Sequence, residues 1–144
     1  LMSKTLDAFI LKGLLVVSAG LLCWGALGLL EYVIPGLTMG LQNNNFPAGL
    51  QFIHFFALVL TGLFFVLGYL RRWPVTVHAS ITMYAVLATI CFVETIDFGA
   101  FGGGARGVII MLTEFALYVA LSIYLQRSAA VYHHFESDGQ RRIV

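Results

Sequence analysis

Residues 48–93 read AGLQFIHFFALVLTGLFFVLGYL-RRWP-VTVHASITMYAVLATICFV, two apolar stretches joined only by Arg71-Arg72-Trp73-Pro74. At 1.5 Å of rise per residue, a helix needs about 20 apolar residues to cross the hydrocarbon core of a bilayer, and both stretches reach that range. Pro74 starts a helix readily, because its missing N–H falls among the first-turn donors that have no partner anyway. Trp73 suits the interface, where an amphipathic ring meets headgroups. The pair therefore predicts a tight antiparallel hairpin of membrane helices. Working outward, residues 13–30 carry no charge, and residues 107–125 are interrupted only by Glu114. The expectation is an all-α, four-transmembrane-helix bundle, antiparallel and up-down, with spans at about 10–33, 48–70, 75–97 and 106–127. The whole chain reads as one integral membrane domain with a tail at 128–144.

Composition agrees. Of the 144 residues 60% are hydrophobic and only 10% charged, against roughly 25% charged in soluble domains. No basic face is present, which argues against nucleic acid as a partner. Nor is there a 20- to 50-residue repeat that would indicate an array. Lys4 and Lys12 precede the first span, Arg71 and Arg72 divide the second from the third, and Arg127, Arg141 and Arg142 follow the fourth. The other two connections hold one positive residue, Arg106. The positive-inside rule then places both termini on the cytoplasmic side. A cleaved leader is disfavoured, since the first apolar run is long for one and Leu22 before Cys23 is a poor lipoprotein cleavage box. Cys23 and Cys91 each sit within an apolar stretch and read as small hydrophobes.

The connection 34–47 reads as an outer loop, with Pro35-Gly36 and Asn43-Asn44-Asn45 and no N-x-S/T acceptor. Gly99 and Gly102-Gly103-Gly104 read as a flexible turn, because a P-loop would need a preceding strand and a Lys-Ser/Thr. Beyond Gln126 the fourth helix is expected to continue and then fray, leaving His133-His134 in a solvated tail.

Five ionisable residues then fall toward one face. Glu31 closes span one, His54 lies about 9 Å into span two, Glu94 and Asp97 end span three, and Glu114 lies about 10 Å into span four. Glu94 and Asp97, three residues apart, share a helical face. Imidazole with carboxylates suits a divalent metal, so His54, Glu114, Glu94, Asp97 and Glu31 form a candidate metal set. The di-metal bundle pattern requires Glu-x-x-His pairs, and here the pair is Glu94-x-x-Asp97. The same set suits proton relay, since histidine changes charge near neutral pH and carboxyls removed from water hold their protons. The structural alternatives are equally concrete. Glu31 and Asp97 could face water, His54 could bond a neighbouring backbone or hydroxyl, and Glu114 could snorkel toward Arg106. An interface with another subunit is a third alternative. No cofactor is implied outright: His54 and His78 start their spans on opposite sides, which disfavours a haem shared between them, and His78 reads as interfacial.

Ser18, Ala19, Gly20, Gly25, Ala26 and Gly28 on span one, and Ala116-x-x-x-Ala120 on span four, allow close helix neighbours. The phenylalanines of span two occupy nearly every face, as lipid or partner contact would require and a quinone site would not.

The first span, the run Gly62-Leu-Phe-Phe-Val-Leu-Gly68-Tyr-Leu-Arg71-Arg72 and the stretch Glu114-Phe-Ala-Leu together resemble DoxX-like small four-helix membrane proteins. Leu30-Glu31-Tyr32 departs from the Lys-Leu-rich end of span one usual in that group. The resemblance implies a subunit linked to membrane redox chemistry, with partners and without transferable catalytic residues. The leading expectation is a non-catalytic accessory or structural subunit of a larger membrane complex, in contact with lipid and with other subunits or copies of itself. The alternative is a metal- or proton-binding redox protein using the outer-face cluster. A transporter is the weakest of the three, for want of visible inverted repeats.

Overall fold

The computed structural model describes residues 3–43 and 45–136, and among these every regular element is helical. Helix α1 is Lys4–Val33, α2 is Ala48–Arg71, α3 is Thr76–Ile96 and α4 is Gly104–Arg127, with a short α5 at Ala129–Phe135. The first four are each long and apolar enough to cross a membrane. One turn of 3-10 helix, Ala100–Gly102, precedes α4.

Helix ends follow local chemistry. Ser3 accepts a hydrogen bond from the Leu6 N–H at 3.3 Å, and this cap starts α1 before its apolar run begins. Between α2 and α3, Arg72 takes the left-handed conformation (φ 53°) and the Trp73 N–H bonds back to the Gly68 carbonyl at 3.0 Å. Gly68 is required there, because a Cβ would collide with the Thr76 side chain on the first turn of α3.

Close approach of backbones joins α1 to α2. A Cβ on Gly62 would lie 2.7 Å from the Leu22 nitrogen, and one on Gly25 would lie 2.7 Å from the Phe55 carbonyl oxygen. Membrane helices gain dispersion contacts when small residues let them approach this closely. The neighbours of Ser18, Gly25 and Gly28 are therefore internal, whereas Gly20 faces open space. Helix α2 also packs on α3, and α3 on α4, while α1 and α4 share few direct contacts. Ala116 and Ala120 are exposed.

The tail departs from expectation. Helix α4 stops at Arg127, Ser128 turns extended, and α5 folds back onto α1 and α4. Asp7 is the cause. Its carboxylate accepts from the Ser128 hydroxyl at 2.6 Å and from the Ala130 N–H at 2.9 Å, while the Tyr124 hydroxyl donates to its backbone carbonyl at 2.9 Å. Ser128 in turn caps the Val131 N–H at 3.1 Å. The docked helix buries Val131 and Phe135 among Leu11, Leu14, Phe65 and Leu125. His134 is not solvated: Nε2 lies 2.8 Å from the Tyr69 carbonyl oxygen, and the ring stacks on Tyr69. The remainder of the expected tail, 137–144, lies outside the described residues.

Candidate functional site

At the end of the bundle away from α5, all four long helices contribute to one cavity of about 270 Å³. Leu21 and Trp24 come from α1, His54 and Leu58 from α2, Leu87, Cys91 and Glu94 from α3, and Glu114 and Tyr118 from α4. A second cavity of about 200 Å³ adjoins it toward the 34–47 loop and is walled by Leu41, Asn43, Phe46 and Gln51. Both cavities share Trp24, His54 and Glu94.

The shared wall holds the tightest polar contact between spans. His54 Nδ1 lies 2.7 Å from Glu94 Oε1, with the Glu94 side chain 9% exposed and that of His54 35% exposed. A carboxylate accepting from a ring N–H at this distance fixes the ring's orientation. One turn along α3, Cys91 lines the same cavity as Glu114. Glu114 is half-buried, and Arg106, exposed at the start of α4, makes no ion pair with it. Among the described residues no Lys or Arg lines either cavity.

Below this level the core carries no buried carboxylate until Asp7, though the hydroxyls of Ser18, Thr61, Thr76 and Ser80 are buried in it. Tyr118 stacks on Tyr84, with centroids 5.8 Å apart. Beneath them Leu11, Leu14, Phe65 and Leu125 form a continuous apolar cluster.

Of the five candidate residues, the structure brings together His54, Glu94 and Glu114. Asp97 is exposed at the end of α3 and lines neither cavity. It keeps the helical conformation as the C-cap of α3, with its N–H bonded to the Val93 carbonyl at 3.0 Å, yet its side chain is exposed where that of Glu94 is buried. Glu31 is also elsewhere. Its carboxylate accepts the backbone N–H groups of Met39, Leu41 (3.2 Å) and Gln42 (3.1 Å), and so folds the 34–47 loop over the end of the bundle. Gln51 completes that clamp by accepting from the Asn43 N–H at 2.7 Å and donating to the Phe46 carbonyl at 3.1 Å. Among the described residues no three His, Cys, Asp or Glu side chains are arranged to hold a metal ion. His78, sixteen residues before Glu94 on α3, is exposed about 24 Å from the pair at helical rise.

Three cavity residues escaped the sequence reading: Trp24, Cys91 and Tyr118. A signal existed for two of them. Cys91 precedes Glu94 by three positions and Tyr118 follows Glu114 by four, so each shares a helical face with a carboxylate. Trp24 had no such marker.

The four apolar helices give the chain the build of a multi-pass membrane protein. Comparison with protein-family models, with curated proteins and with solved structures finds no match to it. The likeness to DoxX-like proteins accordingly rests on the span patterns alone.

Proposed function

We propose that the chain binds a small ligand in its four-helix cavity and exchanges a proton at His54, Glu94 and Glu114 as it does so. In this reading the bundle is antiparallel and up-down, both termini and the Arg71-Arg72 turn are cytoplasmic, and the cavity opens to the opposite side. One observation carries the proposal: the 2.7 Å His54–Glu94 contact forms the wall between two adjoining cavities. Ionisable groups within spans are costly and characteristically face a functional cavity. A pair needed only for packing is replaceable by apolar residues at little or no loss of stability.

Infrared spectroscopy in lipid nanodiscs tests the proton half of the reading. Going from acid to neutral buffer, the wild type is expected to lose a protonated-carboxyl band that is absent from a Glu94→Gln, Glu114→Gln double variant. Identical spectra from the two proteins would overturn it.

A second reading, an accessory subunit of a larger membrane complex, is favoured by one different feature. Only 11% of the apolar window of α4 is buried, against 39% for α2 and α3, and Ala116 and Ala120 lie on its open surface. Native mass spectrometry from mild detergent is then expected to show a stable assembly; a monomer alone would remove this reading.

A further inference from the structure

The cavity's charge, walls and opening together restrict what it holds. Its ionisable lining from α2 and α3 is His54, Cys91 and Glu94, and from α4 Glu114 and Tyr118; α1 contributes only Leu21 and Trp24. His54 and Glu94 already satisfy each other at 2.7 Å. That leaves Glu114, which makes no ion pair among the described residues and whose nearest guanidinium on α4, Arg106, is exposed at the surface. A carboxylate in so apolar a setting is costly unless a cation stands beside it. Trp24 and Tyr118 stand on the same cavity, and indole and phenol faces attract organic cations. Leu21, Leu58 and Leu87 supply an apolar seat for the rest of such a molecule.

Helices α1 and α4 are held together at one end by Asp7, Tyr124 and α5, and share few direct contacts elsewhere. Trp24 on α1 and Glu114 on α4 both line the cavity, and Trp24 is 53% exposed. The volume, about 270 Å³, lies just below the 300–1,000 Å³ usual for drug-sized ligands, so the occupant is small.

We propose that the cavity is a binding site for a small amphipathic organic monocation, a protonated amine on an apolar body, held by Glu114 with Trp24 and Tyr118. This rests on the proton-coupled reading above and names its ligand class. The exchange balances: the ammonium group enters carrying its charge, the Glu114 carboxyl gives up one proton to solvent at the open end, and an ammonium–carboxylate pair remains.

Calorimetry on the full chain in phosphatidylcholine nanodiscs tests the proposal with three probes of one shape: phenethylamine, 2-phenylethanol and phenylacetate. A Trp73→Phe background leaves Trp24 as the only tryptophan and gives a local emission readout. Phenethylamine is expected to bind roughly tenfold or more tightly than either other probe, to shift Trp24 emission, and to release a proton. Glu114→Gln is expected to lose that preference while keeping the weaker binding of 2-phenylethanol, and Glu114→Asp is expected to retain it. Should Glu114→Gln not fold, the wild-type ranking of the three probes still decides. Equal binding of the three, or preference for the neutral or anionic probe, would overturn the cation proposal and leave a proton-coupled ligand site standing. Failure of all three to bind would overturn the cation site and the ligand-binding reading together.

Discussion

Removing the Asp7 carboxylate is expected to release α5 while leaving the four-helix bundle folded. In the wild type that carboxylate takes a hydroxyl proton from Ser128 at 2.6 Å and an amide proton from Ala130 at 2.9 Å. Hydrogen bonds to a charged acceptor are each worth about 1.5–3 kcal/mol, and bonds sharing one acceptor add incompletely. Asp7→Ala also strands the buried Ser128 hydroxyl. A cost of about 2–4 kcal/mol to the docked state of α5 follows. At 1.36 kcal/mol per tenfold, that converts to a rise of roughly 30- to 1,000-fold in amide hydrogen exchange over Ala129–Phe135. Asp7→Asn keeps one acceptor oxygen and loses the charge, so its effect is expected to be intermediate. Exchange mass spectrometry in nanodiscs resolves the segment directly. Unchanged protection over α5 in Asp7→Ala would refute the assignment of Asp7 as the group that turns the chain at Ser128.

Two other substitutions probe independent features. Gly62→Val would place a side chain 2.7 Å from the Leu22 nitrogen and force α1 from α2, at a cost of about 1–3 kcal/mol; Gly20→Val, with nothing within 4 Å, is expected to leave thermal stability unchanged. Glu31→Gln is expected to speed exchange at the Leu41 and Gln42 amides, which the carboxylate holds at 3.2 and 3.1 Å, and equal exchange in the variant would contradict its role as the loop's anchor.

The four apolar helices were legible in the sequence because membrane crossing depends on length and hydropathy, both local properties. Which residues face inward was not. Exposed Val16 and Val17 are as apolar as buried Leu11 and Leu14, so no polar stripe reveals the rotation of α1. Depth alone therefore gathered His54, Glu94 and Glu114 with Glu31 and Asp97, and side-chain direction separated them. The end of α4 was hidden for another reason. Arg127-Ser128-Ala129 contains neither proline nor glycine and reads as continuing helix. Its break is imposed by Asp7, 121 positions earlier in the chain.

The central claim is that His54 and Glu94 form one unit at the wall of the cavity. Nitrogen-15 NMR of the labelled imidazole in nanodiscs tests it most directly. With Glu94 2.7 Å from Nδ1, the proton is expected on Nδ1 in the neutral ring, and Glu94→Gln is expected to move the Nδ1 resonance while Asp97→Asn leaves it in place. A His54 ring indifferent to Glu94→Gln would contradict the account.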